Sequence, residues 1–172
     1  MKQEMLRMGI LTALITTALT GAAWAMPSGG TLAQGNVTVD QGSLSTVMSG
    51  ATIKATEDSV IDWTEFDLAA VDELHFDTLN GAIVNRVPAG KAALLLGKIS
   101  QVGTHPLTII CGGGLSTDGA RIDGTDVEID AAKMTMQNSG ITASRVQIRV
   151  GESEESAGTY HLRSTSPLYL SN

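Results

Sequence analysis

The chain has 172 residues, with 18 acidic against 11 basic side chains, a formal net charge of −7 and one cysteine. That balance leaves no electrostatic footprint for nucleic acid or for anionic lipid, and the lone thiol, Cys111, excludes an intramolecular disulfide. The length suits one domain with a real core and is short for two.

The segment from Met1 to Ala25 reads as a secretory address. Lys2 and Arg7 precede an apolar run from Met8 to about Gly21, and Ala23-Trp24-Ala25 then supplies an A-x-A cleavage site, so that the mature chain would begin at Met26. The run of about 14 apolar residues falls short of the roughly 20 that a membrane-spanning helix needs. Cleavage removes Lys2, Arg7 and Glu4, which leaves nine basic and 17 acidic residues and a net charge of −8. An exported protein, secreted or at the cell surface, is therefore expected.

From Thr31 to Glu57 the segment TLAQGNVTVDQGSLSTVMSGATIKATE has a strand-turn-strand pattern, so residues 26–57 are expected to form an N-terminal cap and a first coil. Beyond it, alternation with a period of two recurs and a helical period does not. Leu74-x-Phe76, Val127-x-Ile129, Met134-x-Met136 and Val146-x-Ile148-x-Val150 each place apolar side chains on one strand face. Gly, Asn, Asp, Ser and Thr fill the turns between them. Arg121 to Asp130 superimposes on Gly140 to Arg149, with Ile122 on Ile141, Val127 on Val146 and Ile129 on Ile148 at one constant spacing. A repeat of about 20 residues is one coil of a solenoid. Alternation alone fits a sandwich, a barrel or a solenoid, and the repeat favours the last, so the predicted fold is all-β: a right-handed, single-stranded parallel β-helix of roughly six coils, with the helix over 58–150 and a C-terminal loop and end strands over 151–172. TYHLRS and PLYLS, near the C-terminus, are expected to pair as a last cover.

Side chains that would carry chemistry are sparse. Gly112 to Gly119 lacks the lysine and the following helix of a phosphate loop. Asp118, Asp123, Asp126 and Asp130 meet no calcium-loop spacing and read as solvated carboxylates. His75, His105 and His161 stand singly, with no metal-ligand spacing. Glycoside cleavage needs two carboxylates about 5 to 10 Å apart, yet the repeat stacks Asp123 on Thr142 and Glu128 on Gln147. No enzyme, no cofactor and no metal is expected. An unpaired cysteine in a β core is usually a small buried hydrophobe, but Cys111 borders a glycine turn, where an exposed thiol could form an intermolecular disulfide.

Aromatic residues make up 3% of the chain, yet Trp63, Phe66 and Phe76 fall close together. In order along the chain come Val60-Ile61-Asp62-Trp63 with Phe66, Leu74-His75-Phe76, Ile83-Val84-Asn85-Arg86-Val87, Leu96-Gly97-Lys98-Ile99-Ser100 and Gly119-Ala120-Arg121-Ile122. This ordered set, from roughly Gly30 to Asp130, resembles the N-terminal secretion domain of the filamentous haemagglutinin family, the exoproteins of two-partner secretion in Gram-negative bacteria. The chain departs at Ile109 to Leu115, where the family reads N-P-N-G-I and Cys111-Gly112-Gly113-Gly114 stands instead.

The resemblance implies an exoprotein or secretion domain that a partner transporter moves across the outer membrane, with adhesion to a host or surface receptor as a second role. The implied partner is an outer-membrane transporter with periplasmic recognition domains, and neither nucleic acid nor a small-molecule cofactor is implied. Asn85, Arg86, Gly112, Gly113 and Gly114 are the candidate recognition residues. Their structural alternative is that Asn85 caps a corner and Arg86 pairs with Asp62 or Asp77. Trp63, Phe66 and Phe76 are expected in core or cap packing. The other functional reading is a secreted β-helix that binds or cleaves carbohydrate.

Overall fold

A computed structural model describes residues 25–153, 161–164 and 169–171, and among them there are strands and no helix. The signal segment up to Trp24, including Ala23, and the remainder of the 151–172 segment lie outside the described residues.

The first strands among the described residues are four short ones, β1 (Thr31–Gln34), β2 (Val37–Val39), β3 (Gly42–Ser43) and β4 (Thr46–Val47). A coil then passes repeatedly over three faces. The first face carries β6 (Ser59–Asp62), β8 (Ile83–Val87), β11 (Leu107–Cys111), the first half of β14 (Asp126–Gln137), β16 (Arg145–Ser153) and β18 (Tyr169–Ser171), paired in parallel in that order. On the second lie β9 (Ala93–Leu95), β12 (Leu115–Asp118) and the second half of β14. The third holds β5 (Thr52–Ala55), β7 (Glu73–Thr78), β10 (Lys98–Gly103), β13 (Arg121–Asp123), β15 (Gly140–Ala143) and β17 (His161–Ser164). The result is a parallel β-helix of about 4 turns.

Alternation decides which side chains enter. Ile61, Asn85, Ile109, Ile129 and Ile148 pair rung over rung down the first face and all are buried. On the third face Leu74, Ile99, Ile122 and Ile141 form a second aliphatic ladder. Stacked like this, β-branched side chains fill the tube with little rotamer loss. The expected pairings of Ile122 with Ile141, Val127 with Val146 and Ile129 with Ile148 are all present.

The turn count is below the sequence expectation because the first four strands pair antiparallel as a cap and add no coil; the coils themselves also differ in length. The steps from Ser59 to its partner Ile83 and from Ile83 to Leu107 are longer than those from Leu107 to Val127 and from Val127 to Val146. The corner between the first two faces shortens from β8 to β14. It is a Pro88–Ala92 loop after β8, a Gly112–Gly114 turn after β11, and in β14 no break at all. There the exposed pair Ala132 and Lys133 marks the bend inside one continuous strand.

The cap closes the N-terminal end by antiparallel pairing, β1 on β6 and β2 on β5, with a bulge between Leu32 and Gln34. Such pairing satisfies backbone groups that an open first coil would leave bare, and a bulge discourages further strands from adding. At the other end β17 and β18 lie on different faces, and each extends the parallel stack instead of pairing with the other as a cover.

Candidate functional site

Trp63, Arg86 and the glycine turn that begins at Gly112 lie at the corner between the first and second faces, next to the cap, whereas Phe76 lies in β7 on the third face. Alternation in β6 and β8 sends Ile61, Asn85 and Val87 inward and Asp62 and Arg86 outward. Because Asp62 and Arg86 are Cα partners on neighbouring rungs, their side chains meet. Arg86 Nε donates to Asp62 Oδ1 at 2.6 Å and Nη2 to Oδ2 at 2.9 Å, a bidentate pair with both side chains about half exposed (47% and 46%). The Asp62 carboxylate, chiefly through these hydrogen bonds, raises the Arg86 guanidinium above its ordinary value. Asp77, the other candidate partner, instead pairs with Lys54 at 3.3 Å.

Asn85 is fully buried in the middle of a strand and caps no corner. Its Oδ1 accepts a hydrogen bond from Trp63 Nε1 at 2.9 Å, and its Nδ2 donates to the Thr108 carbonyl at 3.4 Å. Trp63, Phe66 and Phe76 are buried at 2%, 0% and 1% exposure, and the Trp63 and Phe66 rings lie 5.5 Å apart at 52°. They pack the first coil beneath the cap, where Gly30 is required because a Cβ there would meet Trp63 Cζ3 at 2.6 Å. Ala25, at the expected cleavage point, accepts a hydrogen bond from the Ala69 amide at 2.8 Å.

The three consecutive glycines nest between neighbouring corners. A Cβ on Gly112 would meet the Ala89 nitrogen at 2.7 Å and one on Gly113 the Lys91 carbonyl oxygen at 2.2 Å, while Gly114 has φ +122° beside Lys133. Close approach of corner to corner, together with a left-handed backbone, requires glycine here. Cys111 immediately before them is fully buried, between Val87 and Ala131 in the ladder. Of the two readings left open for this thiol, the structure selects burial: alternation from Leu107 and Ile109 carries Cys111 inward before the turn begins, and burial pushes its thiol up to about 12.

An open groove of about 510 Å³ follows this corner, lined by Thr31, Asp62, Trp63, Arg86, Pro88 and Gly112 among others. It brings together Trp63, Arg86 and Gly112 of the candidates. Asn85, Phe66, Phe76, Gly113 and Gly114 do not line it. Its size is that of a small-ligand site.

Two buried polar features went unread in the sequence. Gln101 Nε2 donates to Thr78 Oγ1 at 3.0 Å and to the His105 carbonyl at 2.6 Å, while its Oε1 accepts from the Thr125 and Asp126 amides at 3.0 and 3.1 Å. One side chain thereby ties three successive turns at the corner between the third and first faces. The available signal was its position two residues after Ile99, on the inward face. The second feature is the ring of Ser59 contacts: its hydroxyl donates towards the Glu57 and Asn36 carbonyls and accepts from the Asn36 amide, joining cap to coil.

Three outward carboxylates of the later turns are held by neighbouring side chains. Asp126 and Glu128 both accept from Arg145, at 2.6 Å each, and Asp118 accepts from Asn138 at 3.3 Å. Among the described residues no group of three or more His, Cys, Asp or Glu could hold a metal ion. No protein-family model matches the chain, and no curated protein matches it.

Proposed function

We propose that the chain is an exported β-helix acting as an exoprotein or secretion domain, similar to those of the filamentous haemagglutinins, which a partner outer-membrane transporter recognises and translocates. The observation that carries the reading is the convergence of the motifs behind that resemblance. I-D-W and N-R-V are separated in sequence by the whole of β7, yet stack as adjacent rungs, with Asp62 on Arg86, Ile61 on Asn85 and the Trp63 indole bonded to the Asn85 amide.

The physical logic of the route fits this fold. The signal segment directs the unfolded chain through the inner membrane. With one thiol, the chain cannot be locked by an internal disulfide on the way. A periplasmic domain of the transporter adds to an extended segment by backbone hydrogen bonds, and coiling outside the cell then buries the aliphatic ladders and disfavours return. Recognition of an unfolded chain is compatible with Asn85 and Gly113 being packed away once folded. Adhesion is the second role, with the groove beside Arg86 as the surface that would meet a receptor. The same groove is what favours a carbohydrate-binding reading as the alternative.

The test is co-expression of the full chain with a two-partner transporter, measuring mature protein in the culture supernatant. Release is expected to depend on the transporter and to fall with Arg86→Glu, while Asp62→Ala, which breaks the same ion pair in the folded protein, leaves release intact. Equal release without any transporter, or equal loss in both variants, would overturn the reading.

A further inference from the structure

The outward surface of the third face carries a serine, a histidine and a carboxylate in sequence-distant register. His75 and Ser100 are Cα partners on β7 and β10, and His75 Nδ1 lies 2.5 Å from Ser100 Oγ. Glu73, two residues before His75 and so on the same face of β7, places Oε2 3.8 Å from His75 Nε2. The histidine side chain is 33% exposed and the glutamate 49%, so the cluster is open to solvent. Its residues neither line the groove nor enter the export reading.

We propose that Ser100 is a base-activated nucleophile that accepts acyl groups from esters. A proton on Nε2, facing the Glu73 carboxylate, leaves Nδ1 free to accept from the Ser100 hydroxyl. Ser100 Oγ attacks the ester carbonyl while its proton passes to Nδ1. As the bond between carbonyl carbon and leaving oxygen breaks, that proton moves on to the departing alkoxide, leaving an acyl-serine and an alcohol. Strand amides here are engaged in the ladder, His75 N to the Ala51 carbonyl for instance, so the developing oxyanion must be met by a side chain. Lys98 precedes Ser100 by two residues, shares its face and is the rung partner of Glu73.

The probe is p-nitrophenyl acetate, read as a burst of p-nitrophenolate and as acetyl mapped by mass spectrometry on the purified full chain. Acetylation is expected at Ser100 in preference to the exposed Ser116 on β12. His75→Gln should slow it about 10²-fold or more, with smaller losses from Glu73→Gln and Lys98→Met. All three side chains face outward, and unchanged far-ultraviolet circular dichroism and melting temperature show that the variants fold. A burst that persists in Ser100→Ala would make the histidine the nucleophile and overturn the proposal, as would acetylation spread evenly over exposed serines or indifferent to His75→Gln.

Discussion

The Trp63 indole N–H donates to Asn85 Oδ1 across one rung of the helix, at 2.9 Å and with both residues almost wholly buried. Asn85 is the single polar member of a ladder otherwise built from Ile61, Ile109, Ile129 and Ile148. A ladder of like isoleucines would tolerate a slip of one coil, whereas an amide that finds its partner only when β8 lies beside Trp63 ties that rung to one register. Asn85→Ala leaves the indole N–H without a partner and should cost about 1–3 kcal/mol. In a double-mutant cycle with Trp63→Phe, followed by urea denaturation, a coupling of at least about 0.5 kcal/mol is expected. Additive losses would mean that the bond does not contribute.

Gln101 offers a sharper test of polar stapling. Gln101→Leu keeps the volume and removes the acceptor for the Thr125 and Asp126 amides, orphaning two donors at a corner that Thr78 and His105 share. Both amides are part-buried, so water replaces some of the lost bonding, and a loss of about 1–3 kcal/mol in all is expected. Hydrogen exchange should become fastest at Thr125 and Asp126.

The glycine turn separates two reasons for glycine. Gly90 has φ +85° with open space around its missing Cβ, so Gly90→Ala adds only backbone strain of about 1–2 kcal/mol. Gly113→Ala drives a methyl to 2.2 Å from the Lys91 carbonyl oxygen, and moving one corner against another should cost about 1–3 kcal/mol or more. Thermal melting of the two variants checks the order: a Gly113→Ala protein no less stable than the parent would mean that the corners can separate freely.

How much of this is legible in the sequence follows from what each residue must do. The constant spacing that pairs Ile122, Val127 and Ile129 with Ile141, Val146 and Ile148 can be read because β14, β15 and β16 turn without inserted loops. The same ladder runs through Ile61, Asn85 and Ile109, but the Pro88–Ala92 loop lengthens the coil there and the polar Asn85 disguises the inward position. Asp62 is foreseeable as a partner of Arg86, since outward side chains on adjacent rungs meet. The pairing of His75 with Ser100 is not, because it depends on a long-range register between β7 and β10 that only the irregular corners determine.

Cys111 provides the pH test. Burial first, with the Asp67 charge second, raises its thiol from 9.0 to about 12. Below about pH 9 the thiol is protonated both folded and unfolded, and its contribution to stability is fully present. Between about 9 and 12 the unfolded chain releases the proton while the folded chain keeps it, so folding stability must fall as pH rises. Cys111→Val, which continues the ladder from Val87 with a side chain that cannot ionise, removes this dependence. Urea midpoints taken near pH 8 and near pH 10.5 should therefore drop further for the parent than for Cys111→Val. A thiol reagent added to the folded protein at pH 8 should react only as fast as the chain unfolds. Rapid modification of the native protein would place the thiol at the surface and contradict the packing of Cys111 between Val87 and Ala131.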